Sequence, residues 1–273
     1  MSLKYKSLEE TIETNKGQAQ YYNKSQPRSI PTQIWGFLRE NTLRSIRQEI
    51  GIEKDCYNQH QIWFGDLSSK KVLDLGCGAG NVHSITLAKN SKQYFGIDLS
   101  MKSIEELKDK IKEFPNANAM TVDFLSDDFK ENNFDLVYAY GVLHHFENLE
   151  LLFKRLKNIL KVGGKIISHD PLETSLPIYI LRRLYRPFQS DALWEWPFNK
   201  NTINKLYDNF DVLDRKGILG ISKWYFMISL LPLPLAKKKQ LGKYLKTKDW
   251  ENSSKSKKHL YKCMQVSFHM KNR

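Results

Sequence analysis

The stretch KVLDLGCGAGNV, residues 71–82, decides the fold of this chain. A short apolar run leads into three glycines at positions 76, 78 and 80, and a helical pattern comes next. Glycines permit a tight turn, and they let a ligand approach bare backbone at the start of a helix. The sequence therefore predicts a strand, a ligand-binding turn and a helix, in that order.

The alternation of strand and helix continues beyond this turn. Apolar runs predict four further strands in QYFGIDLS, NAMTVDFL, FDLVYAYG and KIISHDP, and amphipathic helical patterns separate most of them. Two later strands are predicted in FDVLDRKGI and HLYKCMQVSFHMK. Strand–helix alternation of this length favours a parallel sheet that is covered by helices on both faces.

The chain is long enough for one large domain with additions. Its 273 residues are 41% hydrophobic, which allows a substantial core. Residues 1–66 have helical patterns and are predicted to form an N-terminal helical cap of the same domain. Residues 67–273 are predicted to form the main body, with insertions at about 172–200 and 218–256 that come after strands five and six.

Composition limits the compartment and the partners. The N-terminus lacks the apolar core of a secretion signal, and three widely spaced cysteines fit neither a disulfide framework nor a zinc site. We therefore expect a cytoplasmic protein. Much of the net charge of +13 lies in the lysine-rich segment 236–262. Few arginines and aromatics accompany these lysines, which disfavours nucleic acid as a partner.

The same segment leaves two interpretations open. WYFMISLLPLPLA, residues 224–236, is too short and too interrupted by proline to span a bilayer. Together with the lysines, residues 224–262 could contact an anionic membrane, which would place the protein at the inner membrane surface. Alternatively, the lysines form a solvated and partly mobile loop, and the apolar stretch is a lid or a dimer contact.

The glycine turn carries an acid that limits its ligand. Asp74 precedes the first glycine by two residues, and the third glycine comes one residue earlier than in a nicotinamide-type fingerprint. A carboxylate at this position repels a pyrophosphate but suits a ligand that carries an ammonium or sulfonium group. Asp98, at the end of the second predicted strand, is placed to accept hydrogen bonds from ribose hydroxyls.

Five motifs in order, DLGCGAGN, FGIDLS, VDF, FDLVYAYGVLHH and LKVGGKII, resemble those of class I S-adenosylmethionine-dependent methyltransferases over about residues 70–170. The resemblance implies a Rossmann-like α/β fold with a seven-stranded, mostly parallel sheet and an antiparallel last strand. It implies S-adenosylmethionine as cofactor and S-adenosylhomocysteine as product. The cofactor residues that it implies are Asp74, Gly76, Cys77, Gly78, Asn81, Asp98, Leu99, Met101, Asp123, Phe124, Tyr140 and, as a cover from the cap, Tyr22.

The residues after strands four and five indicate the kind of acceptor. The chain lacks the Pro-Pro turn and the Pro-Cys nucleophile that the resemblance would imply for nucleic-acid bases, which favours a small-molecule acceptor with a hydroxyl group. A hydroxyl is barely acidic, so a histidine base helps at neutral pH. The candidates are His145 first, then His144 and His169. No metal site is expected, because no ligand spacing is specific.

The stretch HDPLE…LRRLYRP…WEWPF resembles a subset of these enzymes from polysaccharide and natural-product pathways. This resemblance predicts an acceptor site formed by Asp170, Arg182, Arg183, Arg186 and Glu195. The leading hypothesis is methyl transfer to a hydroxyl of a sugar or of a glycan or glycolipid precursor. The alternatives are a membrane-associated lipid or quinone-type acceptor, an RNA acceptor, and a scaffold that binds the cofactor without turnover.

Overall fold

A computed structural model describes residues 6–23, 30–38, 44–189 and 192–273 of the chain. Four helices precede the first strand, as predicted: α1 (Leu8–Asn23), α2 (Ile30–Leu38), α3 (Arg44–Glu49) and α4 (Ile52–Phe64). The other helices are α5 (Val82–Asn90), α6 (Met101–Ile111), α7 (Leu149–Ile159), α8 (Leu176–Tyr185), α9 (Lys200–Asn209), α10 (Tyr225–Ser229), α11 (Leu235–Lys255) and α12 (Lys257–Leu260).

Seven strands form one sheet. They are β1 (Lys71–Leu75), β2 (Gln93–Asp98), β3 (Ala117–Thr121), β4 (Phe134–Tyr140), β5 (Leu160–Pro171), β6 (Asp211–Ile218) and β7 (Gln265–Lys271). Their order is β3-β2-β1-β4-β5-β7-β6. The pairs from β3 to β5 are parallel, and β7 is antiparallel to both of its neighbours. The prediction of a Rossmann-like sheet with an antiparallel last strand is confirmed.

The two faces of the sheet are buried under different helices. On β1, Leu73 and Leu75 are buried with residues of α7 and α9, whereas Val72 is buried with residues of α4, α5 and α6. Successive side chains of a strand point to opposite faces, so a strand that is covered on both sides reads as a continuous apolar run. This explains why VLDL at positions 72–75 is apolar except for Asp74, which is a buried acid.

The segment after strand six is a folded unit. Most of the lysine-rich stretch forms α11, a helix of 21 residues, and not the loop that one of the two interpretations gave. Tyr225 of α10 is buried with Ile50, Ile52 and Ile218 in a third apolar cluster. Gly242 of α11 lies against the same cluster, because a Cβ there would come within 2.5 Å of Ile50. Close packing at this glycine therefore orders the helix.

No helix in the described ranges combines the length and the apolar character that crossing a bilayer requires.

Candidate active site

A cleft lies beyond the carboxyl ends of β1, β2 and β4, where the strand order reverses. Open α/β sheets bind their ligands at this position, because the loops on either side of the reversal diverge. The cleft encloses about 330 Å³. Its lining comprises Asn15, Gln18, Tyr22, Leu75, Gly76, Gly78, Ile97, Asp98, Leu99, Ser100, Ser103, Val122, Asp123, Phe124, Gly141, Val142, His145 and Phe146.

The glycine turn forms one wall of the cleft. Gly76 has a φ of +64° and Gly78 a φ of +53°, which L side chains rarely adopt. A Cβ at Gly76 would come within 2.3 Å of the Val142 side chain, whereas a Cβ at Gly78 would meet nothing within 4 Å. The first glycine therefore allows close packing of two loops, and the second leaves open space on the cleft side.

Asp98 connects this turn to the second strand. Its Oδ2 accepts a hydrogen bond from the Gly78 amide at 2.9 Å, and its Oδ1 accepts one from the Ser100 amide at 2.8 Å. Burial raises the pKa of this carboxyl above its ordinary value. A carboxylate oxygen has two lone pairs, so both oxygens retain acceptor capacity toward a ligand hydroxyl in the cleft.

Asp74 lies beneath the turn and does not line the cleft. It is 2% exposed, and its Oδ2 accepts a hydrogen bond from the Tyr94 hydroxyl at 2.9 Å. Desolvation raises the pKa of its carboxyl to about 6. We therefore interpret Asp74 as a support of the turn, rather than as the direct ligand contact that the resemblance implies.

Cys77, Asn81 and Tyr140 are also absent from the cleft lining. Cys77 is buried, and the Asn81 side chain caps α5 by accepting hydrogen bonds from the His83 and Ser84 amides at 2.8 and 3.1 Å. The Tyr140 ring stacks on His169 at 4.6 Å between centroids. These three side chains lie outside the cleft lining, and their contacts with the cofactor stay predictions.

The opposite wall holds the predicted adenine side. Leu99, Asp123 and Phe124 line it, whereas Met101 is 59% exposed and lies outside. The Asp123 Oδ1 accepts a hydrogen bond from the Leu125 amide at 2.9 Å, and its Oδ2 accepts one from the Asn15 side chain at 2.9 Å.

Helix α1 roofs the cleft with a polar face. Its buried residues are Thr11, Asn15 and Gln18, which lie four and three residues apart on one side of the helix. Tyr22 also lines the cleft, and its ring meets His145 edge to face at 6.3 Å. A helix that buries polar residues needs polar partners. The spacing of Thr11, Asn15 and Gln18 in the sequence indicates this polar helix face, which was not predicted.

Of the three histidine candidates, His145 alone lines the cleft. It lies in a single 3₁₀ turn, Leu143–His145, that comes after β4. Its Nδ1 is 2.6 Å from the Trp194 carbonyl oxygen. A carbonyl only accepts, so Nδ1 carries the proton and the lone pair of the neutral ring is on Nε2. The sequence thus places an imidazole ring in the wall of the cleft.

His144 is buried and does not line the cleft. Its Nδ1 lies 3.0 Å from the Asp170 Oδ1, which also accepts a hydrogen bond from the His144 amide. The two imidazoles are adjacent, with centroids 4.2 Å apart. Asp170 is completely buried, and its Oδ2 has no hydrogen-bond partner in the described part of the chain.

His169 is a packed residue of the sheet. Its Nδ1 is hydrogen-bonded to the Ser267 hydroxyl at 2.9 Å, and burial lowers its pKa to about 4. His60 and Cys56 adjoin it, and the three offer ligand atoms within 4.8 Å of one another. Hydrogen bonds with Ser267 already join these groups, so we interpret the cluster as a buried polar network.

The insertion after β5 packs against the histidine turn, and none of its described residues is in the cleft lining. Arg186 donates hydrogen bonds to the backbone oxygens of Ala192 and Glu195, and Gln189 donates one to the Glu195 carboxylate at 2.6 Å. The Trp196 amide donates to the His144 carbonyl oxygen at 2.7 Å, which joins this insertion to the histidine turn.

The predicted acceptor residues differ in their surroundings. Burial lowers the pKa of the Arg182 guanidinium, and the charges of Glu195 and Glu173 only partly offset that shift. The Arg182 Nε has no hydrogen-bond partner among the described residues. Arg183 is exposed, with its guanidinium 5.2 Å from the Tyr179 ring centroid. His144, His145 and Glu195 each offer one ligand atom within 4.8 Å of the others, so these three residues could also hold a metal ion.

Comparison with known proteins agrees with this geometry. Residues 73–168 match the methyltransferase domain family. A demethylmenaquinone methyltransferase of Lactococcus lactis subsp. lactis is 29% identical over 164 residues, which are 52% of this chain and 63% of that enzyme. A carboxy-S-adenosyl-L-methionine synthase of Helicobacter pylori strain G27 is 30% identical over 179 residues, which are 58% of this chain and 74% of that enzyme. The chain thus spans less than two thirds of the Lactococcus relative.

A solved structure shares the fold. The N-methyltransferase NodS from Bradyrhizobium japonicum WM9, in complex with S-adenosylhomocysteine, aligns with a TM-score of 0.52 and 14% identity, over 84% of this chain and 97% of NodS. The open space at Gly78 and the acid at the end of β2 suit an adenosyl cofactor in the cleft. The chain belongs to the class I S-adenosylmethionine-dependent methyltransferases, and S-adenosylmethionine is its cofactor.

Proposed function

We propose that this enzyme methylates a hydroxyl group of a sugar, or of a glycan or glycolipid precursor. Bound S-adenosylmethionine supplies an electrophilic methyl group. On the protein side, Gly76 and Gly78 give the cofactor access to backbone, and Asp98 accepts hydrogen bonds from its ribose. Leu99, Asp123 and Phe124 would hold its adenine. Asn15 and Gln18 of α1 cover it and exclude water.

The position of His145 carries this proposal. It lines the cleft, and its Nδ1 donates to the Trp194 carbonyl oxygen, which leaves Nε2 as the basic nitrogen. This nitrogen takes the proton of the acceptor hydroxyl, and general base catalysis of this kind contributes about 10²- to 10⁴-fold to a rate. The Trp194 carbonyl holds the ring in the required tautomer.

The chemistry of the insertion supports a polar acceptor. The Asp170 Oδ2 and the Arg182 Nε are buried atoms that have no hydrogen-bond partner among the described residues. Both atoms lie outside the cleft lining. Buried polar atoms are nearly always paired, so an acceptor with several hydroxyl groups that reached them would supply the missing partners. Glu195, oriented by Gln189, would bind a further hydroxyl.

The test is a methyl-transfer assay with isotopically labelled cofactor against sugars, nucleotide sugars and glycan precursors. Mass spectrometry of both products is required, because the Helicobacter relative is named for carboxylation of the cofactor. We expect a methylated acceptor and S-adenosylhomocysteine. Methylated RNA, a carboxylated cofactor, or cofactor binding without turnover would each contradict the proposal.

Substitution of the adjacent histidines gives a matched comparison. We expect His145→Gln to lower kcat by at least about 10²-fold, and His144→Gln to lower it by less than about tenfold, since only His145 lines the cleft. Activity should survive a chelator, because a histidine base needs no metal. Loss of activity on chelation, restored by a divalent metal, would reassign His144, His145 and Glu195 as ligands.

A quinone-type acceptor is the second candidate. The named activity of the Lactococcus relative, which is 29% identical, favours it. Methylation at a ring carbon would not require the buried polar atoms of the insertion, so Arg182→Gln should leave it nearly unchanged. For a sugar acceptor, the same variant should raise KM more than it lowers kcat.

A further inference from the structure

Helix α8 is oriented with its apolar face outward. Leu176, Ile180 and Leu184 occur at intervals of four residues, and Leu184 is 69% exposed. The inward side of the same helix carries Arg182, which lies near Glu195 and Glu173. Surface helices normally turn their apolar stripe to the core. An outward stripe therefore marks a surface that another phase or molecule covers.

A second exposed apolar segment adjoins it. The chain from the end of the 3₁₀ turn before α10 to the start of α11 exposes a run of large apolar side chains, and Leu230 is 81% exposed. Lys223 connects this segment to α8, since its Nζ donates to the Ser175 hydroxyl at 3.4 Å, directly before the helix begins. The exposed members are Trp224, Phe226, Met227, Leu230, Leu231 and Leu235.

Lysines border the apolar segment without balancing acids. Lys237, Lys238 and Lys239 lie in the first two turns of α11, and its first turn contains no acidic residue. The N-terminal end of a helix carries partial positive charge, so cations there are unfavourable for the helix itself. The Lys238 Nζ donates to the Ser229 carbonyl oxygen at 2.6 Å. The positions of Lys237 and Lys239 are better explained by an external anion, because lysine charges and the amides at a helix start both attract phosphate.

We propose that the outer surface of α8, the segment 224–235 and the first two turns of α11 form a docking surface for an anionic lipid bilayer. Leucines and aromatic rings insert among the acyl chains, and the lysines contact the headgroups. A second copy of this chain fits less well, because a two-fold axis through this surface would bring the lysines of both copies together. RNA would leave the exposed leucines in water.

Docking on a bilayer would indicate that the acceptor comes from the membrane. The face of α8 that points away from the bilayer carries Arg182, which lies near the acids Glu195 and Glu173. An acceptor attached to a lipid could thus present its polar headgroup to the cleft while its tail stays in the membrane. This consequence rests on the proposed function, whereas the docking surface itself does not.

The test is co-sedimentation of the full chain with phosphatidylcholine vesicles and with vesicles that also contain phosphatidylglycerol. We expect binding to the anionic vesicles only, and a marked decrease between about 0.1 M and about 1 M salt. Leu230→Glu and the pair Lys237→Glu/Lys239→Glu should each reduce partitioning by about fivefold or more. Val162→Glu is the matched control, because Val162 is 88% exposed near the beginning of β5, at the opposite end of that strand from α8.

The outcomes separate the two proposals. Equal pelleting of wild type and both surface variants, or no pelleting with any vesicle, would overturn the docking surface. A dimer in solution that Leu230→Glu dissociates would overturn it as well. Thermal melting and S-adenosylhomocysteine binding of each variant show that it is folded. Vesicle binding without methylation of any acceptor would instead remove the proposed function and leave the docking surface standing.

Discussion

Gly76 and Gly78 have similar backbone angles, yet a methyl group would meet different surroundings at each. At Gly76 it would collide with Val142, and at Gly78 it would enter open space on the cleft side. The left-handed conformation costs an L residue roughly 1–2 kcal/mol at either position. Alanine at Gly76 therefore tests the packing against Val142, whereas alanine at Gly78 tests whether a ligand occupies the open space.

We expect Gly78→Ala to lower the free energy of unfolding by about 1–2 kcal/mol and to weaken S-adenosylhomocysteine binding by at least about tenfold. Gly76→Ala should cost more stability, because overpacking adds to the backbone strain. Gly163→Ala is the control, since its φ is +77°, its surroundings are open and it lies far from the cleft. Calorimetric binding and urea unfolding measure both effects. Unchanged binding in Gly78→Ala would contradict the placement of the cofactor.

At the scale of one element, α1 depends on polar contacts rather than on an apolar stripe. Asn15 donates to the Asp123 carboxylate, and Asn23 accepts from the Ser100 hydroxyl at 3.1 Å. A net contribution of about 1 kcal/mol per hydrogen bond makes such a roof easy to open. This suits a cover over a cleft that a cofactor must enter and leave.

Asn15→Ala should therefore weaken S-adenosylhomocysteine binding by about fivefold, since one hydrogen bond of about 1 kcal/mol is lost. It should also expose α1 to proteolysis in the absence of ligand. Lys16→Ala changes the next residue on the exposed side of the helix and should alter neither property. Equal protease resistance of Asn15→Ala and wild type would show that α1 is held by other contacts.

Helix α11, in contrast to α1, is held by apolar packing, and Gly242 permits that packing to be close. Alanine favours a helix over glycine by about 1 kcal/mol. At Gly242, however, a Cβ would lie 2.5 Å from Ile50 and 2.6 Å from the Tyr225 ring. Overpacking costs about 1–3 kcal/mol, so Gly242→Ala should destabilise the protein by up to about 2 kcal/mol. Gly17→Ala in α1 has open space and should stabilise it, as thermal melting would show. A higher melting temperature for Gly242→Ala would contradict this packing.

The whole molecule buries several titratable groups around β1, β4 and β5. Burial lowers the pKa of His60 to about 2 and those of His83 and His169 to about 4, from 6.5. It raises the pKa of Asp74 to about 6. The histidines thus stabilise the fold above pH 6.5 and lose that contribution as the pH falls. Asp74 acts in the opposite direction, since its folded form gains a proton below about pH 6.

Burial also lowers the pKa of His269 to about 4 and raises the pKa values of Asp98 and Glu173. Four histidines thus oppose three acids, so the free energy of unfolding should decrease between pH 7 and pH 5. We expect a loss of at least about 2 kcal/mol, measured by urea unfolding at constant salt. Asp74→Asn removes the opposing contribution of Asp74 and should therefore enlarge the decrease in the free energy of unfolding. Stability that rises toward pH 5 in the wild type would contradict the neutral state of the buried histidines.

The order of strands and helices from residue 71 to 171 results from local pattern alone. Apolar runs, amphipathic spacing and glycine turns are properties of neighbouring residues, so they can be recognised before the chain folds. The same local signals located Gly76, Gly78 and Asp98 in the cleft. They also predicted helices before the first strand and the order of the last two strands.

Other features depend on residues that are distant in sequence. Which of His144 and His145 faces the cleft is decided by Asp170 and Trp194, which lie more than twenty residues away and take one ring each. The polar roof of α1 depends on Asp123, and the order of α11 depends on Ile50 and Tyr225. Sequence alone thus determined the cofactor fold, because its signals are local. Tertiary structure decided which histidine lines the cleft and how α1 and α11 are held, because hydrogen bonds and packing between distant segments orient these side chains.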